Sequence, residues 1–376
     1  MFERFKHMLI KEFIHVLRDP RMKAVIIMMP IIQALVFGYA VTTDVTRIPT
    51  AVYDLDNSPA SREIARRFGG SGYFMIAEYV DSDGRAQELI DRGKVKAVMR
   101  VNRGFGETLA KGRTAPMQII LDGSDSNTAG IVLKYATTIV GQYSEQVLLE
   151  RLQRSTGAVP ASGRIDLATR AWFNENLESR YFYVPGVIAL LVMLVTLLLS
   201  SMAVVREKEV GTIEQIIVTP ITKTEFILGK TLPFAIIGFL DVVLITVIAL
   251  YWFQVPLRGS LWLLLAATGL YLMSTLGAGL LISTVSRTQQ QAMMSTFFYY
   301  FPAVLLSGFM FPISNMPQVV QWLTLINPLR YFLVIIRGIF LKGVGPSVLW
   351  TQMAALAILG SVMLVLAITR FKKTLA

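Results

Sequence analysis

Residues 182–205 read FYVPGVIALLVMLVTLLLSSMAVV, a run of 24 residues without a charged side chain. About 20 mainly apolar residues let a helix cross the hydrocarbon core of a bilayer, so this run predicts a transmembrane helix. Five further apolar blocks of similar length lie at residues 22–41, 232–253, 261–285, 292–311 and 348–369. The sequence therefore predicts an all-α membrane bundle of six spans, with the second to sixth spans inside residues 181–376.

The composition of the 376-residue chain agrees with a membrane protein. Hydrophobic residues make up 54% and charged residues only 16%, whereas a soluble domain has about 25% charged residues. The absence of cysteine excludes disulfide scaffolds, thiolate metal sites and cysteine nucleophiles. The two histidines, His7 and His15, have no acidic cluster beside them, so we predict no metal site.

The distribution of basic residues predicts the orientation of the spans. Lys and Arg near the ends of short loops favour the cytoplasm, whereas long translocated domains do not follow this rule. With a cytoplasmic N-terminus, the inner segments hold 14 Lys and Arg and the short outer segments hold four. We expect both termini on the cytoplasmic side of a bacterial inner membrane and residues 42–180 outside it. The net charge of +11 then reflects topology and not nucleic-acid binding.

The N-terminal 21 residues predict an amphipathic helix. Phe2, Phe5, Leu9 and Phe13 recur at helical spacing, with basic residues at other positions. Such a helix can lie in the inner interface against anionic lipid headgroups, and a solvated tail is the alternative. The apolar block after it is too long for a signal peptide and no A-x-A site follows, so we expect an uncleaved anchor.

Residues 42–180 predict an α+β domain inserted between the first and second spans. Strand-like runs rich in Val, Ile, Tyr and Phe lie at residues 49–55, 72–80, 95–101 and 117–121. Helix-like segments lie at residues 61–68, 85–92, 105–111 and 127–154. The last of these repeats an apolar residue every four positions from Ile131 to Val147, so one of its faces should be packed.

The cytoplasmic loop at residues 206–230 predicts a contact site for another protein. Ile213, Ile216 and Ile217 form an apolar stripe in a highly charged segment that stops at Pro220. A short amphipathic helix of this kind fits a groove on a partner, and an interfacial helix is the alternative.

The same loop ends in a sequence that imitates a nucleotide-binding motif. Gly229-Lys230-Thr231 matches the close of a phosphate-binding loop, but Thr224 stands where that motif requires glycine and no strand precedes it. We therefore predict no nucleotide site, no cofactor and no catalytic residues in this chain.

Four segments in a fixed order resemble the permease subunit of type-2 ABC exporters. Two of them are Leu17-Arg18-Asp19-Pro20 before the first span and Trp172-Phe173-Asn174 followed by Tyr183-Val184-Pro185-Gly186 at the second. The third is the loop, with EVGTIEQ at residues 209–215 and the VTP…GK piece at 218–230. The fourth is Asn327-Pro328-Leu329-Arg330-Tyr331 with Arg337-Gly338, between the last two spans. The similarity covers essentially the whole chain, and the large domain after the first span resembles the multidrug-efflux-like branch.

This resemblance implies a division of labour between subunits. A separate cytoplasmic ATPase would bind ATP and Mg and contact the loop, and two permease chains, identical or similar, would form the pathway. A periplasmic adaptor and membrane lipids are further expected partners. The residues that align with the family's coupling segment are Glu207, Glu209, Gly211, Thr212, Glu214 and Gln215.

Asp241 is the one acidic residue inside a predicted span, about midway along the third. A carboxylate at that depth costs about 2.5–3.5 kcal/mol on insertion scales, so it should face a cavity or a partner. Contact with a cationic substrate or a proton is one reading, and an interhelical hydrogen bond is the other.

The fifth span is rich in methionine and aromatic residues, among them Met294, Phe297, Phe298 and Tyr300. Deformable thioethers and stackable rings suit diverse apolar ligands, and packing in the core or between two chains explains the same stripe.

Residues 312–331 are too polar and too often broken by proline to span the membrane. They predict short re-entrant helices on the outer side, and the resemblance implies that they close the exit. The corresponding gate residues are Asn327, Pro328, Arg330 and Arg337.

Three functions are compatible with these patterns. The first is the permease subunit of an ATP-driven exporter of amphipathic or drug-like molecules. The second is the same architecture moving a lipid, glycolipid or peptide. The third is a stand-alone secondary transporter, for which inverted repeats or paired ions in the spans would be expected.

Overall fold

The structure is a computed structural model that describes residues 10, 18, 24–40, 47–124, 126–156, 172–174, 178–211 and 222–371. The chain divides into two compact units. The α+β unit comprises Asp44–Thr169, and the helical unit combines Met1–Thr43 with Arg170–Ala376.

The described residues in the first part of the chain form one apolar helix and then the elements of the α+β unit. In order, these elements are a π-helical turn Ala24–Met28, α1 (Met29–Ala40), β1 (Ile48–Asp54), α2 (Pro59–Gly70), β2 (Phe74–Tyr79), α3 (Asp83–Asp91), β3 (Ala97–Val101), α4 (Phe105–Ala110), β4 (Met117–Leu121) and α5 (Ser126–Thr156).

The second part of the chain is helical in its described residues. Its α-helices are α6 (Ser179–Ala203), α7 (Val205–Val210), α8 (Lys223–Tyr251), α9 (Leu261–Val285), α10 (Gln289–Leu305), α11 (Gln318–Leu323), α12 (Pro328–Arg337) and α13 (Pro346–Arg370). Short 3-10 helices lie at Ile313–Asn315 and Thr324–Ile326, and a π-helical turn lies at Gly338–Lys342.

Four of the six predicted spans are helices long and apolar enough to cross a membrane. They are Ser179–Val210, Thr224–Tyr251, Leu261–Val285 and Pro346–Arg370. A fifth would be formed by the pair Gln318–Ile326 and Pro328–Lys342, which is bent by 83°. This bent pair contains the short helices predicted for the re-entrant segment.

The first and fifth predicted spans are shorter than expected. The first is an apolar helix over Ile26–Ala40 in the described residues. The fifth corresponds to α10, which ends at Leu305 because Gly308 turns the chain with a left-handed φ of +82°. The structure supports four apolar helices of spanning length, or five with the bent pair, and the number six stays a prediction.

α6 lies at the centre of the helical unit, and α9 packs against both α6 and α13. The contact between α9 and α13 depends on glycine, as the small residues of the fourth span predicted. A Cβ atom on Gly277 would lie 2.9 Å from the Cβ of Met363, and one on Gly360 would lie 2.8 Å from the Cβ of Met273. Each glycine therefore lets the backbone of one helix approach the other closely.

Exposed tryptophans mark one end of these helices. Trp252 follows α8, while Trp262 and Trp350 lie near the starts of α9 and α13, and all three are 61–80% exposed. These ends lie together, since the N–H of Gly259 donates to the carbonyl of Ile339 at 2.9 Å shortly before α13. Tryptophan is enriched at membrane–water interfaces, so this edge of the unit matches an interface.

The α+β unit contains a four-stranded sheet with the order β2-β1-β3-β4. β1 pairs in parallel with β2 and β3, and β3 pairs antiparallel with β4. The strand-like and helix-like runs of the sequence coincide with these elements to within two residues at most boundaries. One face of the sheet is covered by α2 and α5, and the other by α3.

The predicted packed face of α5 is confirmed. Val132, Ala136, Ile139 and Tyr143 are buried against the sheet side of the unit, whereas Leu133 and Leu148 are exposed. The predicted stripe is only partly correct, since Ile139 and Tyr143 are buried but Ile131, Tyr135 and Val147 are half-buried. A helix with one covered face repeats apolar residues every three or four positions and not strictly every four.

Asp56 fixes the start of α4. The N–H groups of Gly104 and Gly106 donate to its two carboxylate oxygens at 2.7 and 2.9 Å. Hydrogen bonds from the Ser58 side chain and from these N–H groups lower the pKa of Asp56 below its usual value. The carboxylate therefore stays ionised at neutral pH and holds the first turn of α4 against the end of β1.

The close approach of α9 and α13 leads to a stability prediction. Gly277→Ala places a methyl group against the backbone of α13, where Leu364 N would be 3.0 Å away, and should destabilise the protein by about 1–3 kcal/mol. Gly269→Ala is the matched control, because its Cβ would meet Phe239 at an ordinary 3.4 Å. Thermal unfolding of the purified protein in detergent measures both, and equal unfolding temperatures for the two variants would contradict the packing argument.

Candidate coupling site and transport pathway

The short helix α7 continues α6 beyond its apolar part. The hydroxyl oxygen of Ser283, on α9, accepts hydrogen bonds from the N–H groups of Val204 and Val205, each at 3.0 Å. Gly211 ends α7 in the left-handed conformation, with φ at +81°. α7 is therefore a separate short helix that Ser283 fixes at its start and Gly211 ends.

Three consecutive charged residues of α7 each contact a different element. The Lys230 ammonium on α8 donates to Glu207 Oε1 at 2.5 Å. The Lys208 ammonium donates to the carbonyl of Thr284 at 2.7 Å, at the end of α9. Glu209 accepts a hydrogen bond from the N–H of Gln289 at 3.0 Å, at the start of α10. α7 thus joins the ends of three apolar helices.

The Glu207–Lys230 ion pair is largely shielded from water, with side-chain exposures of 13% and 6%. Removing two charges from water is costly, and only their mutual attraction and further hydrogen bonds compensate for it. The start of α8 is also fixed locally by a capping box formed by Thr222 and Glu225. The side chain of each residue accepts a hydrogen bond from the backbone N–H of the other. The pair therefore connects two rigid helix ends.

The predicted coupling residues divide into two groups. Glu207 and Glu209 belong to α7 and contact helices of the same chain, and Gly211 ends α7. The other three, Thr212, Glu214 and Gln215, lie outside the described residues. Sequence reasoning missed Lys230, Ser283 and Gln289 as partners. The available signal for Lys230 was its position at the end of the charged loop, two residues before the apolar block at 232–253, because a charge at the edge of a span needs a counter-ion.

Asp241 lies on the buried side of α8 and is 2% exposed. Its Oδ2 has no hydrogen-bond partner among the described residues, and the same holds for the hydroxyls of Thr246 and Thr268. One turn before Asp241, a Cβ on Gly238 would lie 2.9 Å from Thr196 of α6 and 2.6 Å from Leu272 of α9. Thr268 is one turn from Leu272, so Asp241 and Thr268 lie at a similar depth between α6, α8 and α9.

The aromatic stripe of α10 has two sides. Phe298 is 82% exposed and Met294 66% exposed, so neither belongs to the core of this chain. Tyr300 packs inward, and its hydroxyl donates to the carbonyl of Leu190 on α6 at 3.5 Å. Phe297 stacks on Phe301 with ring centroids 6.0 Å apart. The outward side of α10 is therefore an apolar surface that no described residue of this chain covers.

The predicted gate residues connect the re-entrant segment to two longer helices. The Asn327 amide donates to the carbonyl of Ala303 on α10 at 2.7 Å, and its oxygen accepts from Leu329 N to cap α12, which begins at Pro328. Arg330 hydrogen-bonds to Thr324 in the preceding turn. Arg337 lies 3.7 Å from the ring centroid of Phe182 at the start of α6.

Long apolar helices, an edge marked by tryptophan and charged contacts at the opposite helix ends define the class of this protein, a multi-pass membrane protein. Residues 23–369 match the family described as ABC-2 family transporter protein. The match covers most of the chain, so the chain belongs to the ABC-2 transporter family.

Several relatives have similar length and sequence. The chain is 34% identical to the probable multidrug ABC transporter permease YbhR of Escherichia coli K12, over 96% of this chain and 95% of the relative. It is 33% identical to YbhS of the same organism, named in the same way, over 93% and 91%. It is also 20% identical to the linearmycin resistance permease protein LnrN of Bacillus subtilis, over 81% and 83%.

The Glu207–Lys230 pair leads to a second stability prediction. Glu207→Gln or Lys230→Met leaves one shielded charge without its partner and should cost about 3–5 kcal/mol of unfolding free energy. The double variant Glu207→Lys with Lys230→Glu restores a pair and should recover much of this loss. Arg66→Gln is the control, because Arg66 forms an exposed ion pair with Glu63 in the α+β unit.

Chemical unfolding in detergent compares these variants. Single variants that unfold at the same denaturant concentration as the unchanged protein would show that the pair is not structurally coupled to the helices.

Proposed function

We propose that this permease works as the membrane subunit of an ATP-driven exporter, with ATP and Mg bound by a separate cytoplasmic ATPase. Membership of the ABC-2 family supports a partner that supplies the energy. The observation that carries the proposal is α7, which contacts the ends of α8, α9 and α10 with three consecutive side chains.

In this proposal the ATPase docks on the loop that follows α7. Glu214 and Gln215 belong to the docking segment, together with the apolar stripe formed by the loop isoleucines. A movement of the loop displaces α7. Because α7 is hydrogen-bonded to three helices, its displacement either moves these helices with it or breaks the hydrogen bonds. This arrangement provides a two-state element that ATP binding can bias.

The transport pathway is proposed to form between two permease chains. The exposed side of α10, with Met294 and Phe298, supports this proposal because a large apolar surface on one helix favours contact with a second copy or with an apolar substrate. The names of YbhR and YbhS describe multidrug permeases. We infer that amphipathic, drug-like molecules are the substrates and that the re-entrant segment around Asn327 gates the outer exit.

A second candidate substrate class is supported by one cavity. A groove of about 250 Å³ lies between α8, α9 and α13 and is lined almost wholly by apolar side chains, such as Phe239, Leu272 and Leu364. Such a groove fits an acyl chain, so a lipid or glycolipid is the alternative substrate. Stimulation of ATP hydrolysis by lipids in place of drugs would favour it.

The orientation follows the distribution of charge. Lys208, Lys230 and Arg370 lie at the helix ends opposite Trp252, Trp262 and Trp350, and the positive-inside rule assigns the basic ends to the cytoplasm. The α+β unit would then face the periplasm, where a periplasmic adaptor is the proposed partner.

The two proposed roles of the coupling site, docking of the ATPase and transmission of its movement to the helices, can be separated by mutation. Glu209→Ala removes the link from α7 to the start of α10, and it should lower substrate-stimulated ATP hydrolysis severalfold while the ATPase still co-purifies with the permease. Glu214→Lys should instead reduce co-purification. Arg206→Gln, at an exposed neighbouring position, should change neither property. Loss of the ATPase with Glu209→Ala, or full stimulation in both variants, would contradict the division between docking and transmission.

Asp241 predicts a preference for cations. Asp241→Asn keeps the shape of the side chain but removes its charge, so export of cationic amphiphiles should fall at least tenfold while export of neutral analogues stays near its original rate. Transport into inverted vesicles that contain the permease and its ATPase measures both. Equal rates for cationic substrates before and after the substitution would eliminate a pathway role for Asp241.

A further inference from the structure

The α+β unit contains a groove of about 360 Å³ between α4, the turn after it, β4 and α5. Pockets for small organic ligands begin at about 300 Å³. The floor of this groove is apolar and is formed by Phe105, Leu109, Met117, Val140, Tyr143 and Val147. Phe105 and Tyr143 are themselves buried, so the floor is part of the packed core and is already shaped without a ligand.

Two arginines line the same groove. Arg113 belongs to the turn after α4, and Arg151 reaches across from α5. The Arg151 guanidinium lies directly over Gly112, which has a left-handed φ of +70°, and a Cβ atom there would overlap it. The glycine therefore leaves the space in which the guanidinium is placed at the end of the groove.

Among the described residues, the positive charge of these two arginines is not neutralised by an acidic side chain. Neither Arg113 nor Arg151 forms an ion pair with another described residue. Two neighbouring acidic residues are already paired with other cations, Glu150 with Arg154 at 3.5 Å and Glu107 with Lys111. The groove thus combines an apolar floor with two available guanidinium groups.

We propose that this groove binds a small amphiphilic carboxylate, a molecule with one carboxylate group and an apolar body. A guanidinium presents parallel N–H donors that match the two oxygens of a carboxylate, and it is more weakly hydrated than an ammonium. The apolar body would bury its surface against the floor from Phe105 to Val147. This site is additional to the coupling and pathway residues and does not depend on the transport proposal.

The test uses the purified full-length protein in amphipol and a dodecanoate probe that carries a photoreactive diazirine. After illumination, mass spectrometry locates the labelled peptides. We expect saturable labelling within residues 105–117 and 140–151, which dodecanoate suppresses and dodecanol of equal chain length does not. Labelling of the helical unit serves as an internal reference for partitioning and folding.

Substitution of the arginines tests the proposed contacts. The double variant Arg113→Gln with Arg151→Gln should require about tenfold more probe for half-maximal labelling, which corresponds to about 1.4 kcal/mol. The variant with lysine at both positions keeps the charge. The probe concentration that it needs for half-maximal labelling should lie between those of the unchanged protein and of the double glutamine variant. Lys134→Gln is the matched control, because Lys134 is an exposed cation on the same helix outside the groove, and it should behave like the unchanged protein.

Three results would overturn the proposal. They are equal suppression by dodecanol, unchanged labelling in the double glutamine variant, and label spread over the α+β unit without enrichment in the two peptides.

Discussion

The interior of a bilayer offers no hydrogen-bond partners, and this constraint determines where polar groups of the helical unit are placed. Two hydroxyl groups of the central helix α6 bond to its own backbone. Thr196 donates to the carbonyl of Val192 at 2.6 Å, and Ser200 donates to that of Thr196 at 2.7 Å. Because every backbone polar group must also be paired within the segment, spanning elements have to be helices. Small residues on the faces of these helices, such as Gly277, Gly279 and Gly360, then allow α6, α9 and α13 to pack closely.

The same constraint confines ion pairs to the ends of the helices, and this gives the coupling site its form. Glu207, Lys208 and Glu209 lie where α6 leaves its apolar part, so each can meet a polar group at the end of a neighbouring helix. A charge farther along α8 would have no such partner. A force applied at the end of a helix also moves the bundle most effectively, because a shift there tilts the whole helix. The place where charge is tolerated is thus the place where a partner can act on the bundle.

Much of the fold could be predicted from the sequence because its signals are local. Apolar length identified four helices of spanning length, and alternation of short apolar runs identified the strands of the α+β unit. The end of α10 was missed because it depends on the turn at Gly308, which a hydrophobic run does not reveal. The partners within the coupling site were missed for a different reason. Glu207 and Lys230 are 23 residues apart, and only the crossing of α7 with α8 brings them together.

Asp241 and Lys230 show how the same constraint acts on two charged residues of one helix. Both belong to α8 and both are buried, with relative exposures of 2% and 5%. Lys230 has a counter-ion, so its burial is explained by the fold alone. The Oδ2 atom of Asp241 has no partner among the described residues, and neither do the hydroxyls of Thr246 and Thr268. A fold gains no stability from a carboxylate left in this state. Local rules are broken most often at functional sites, and this is why the proposal above places Asp241 in the transport pathway.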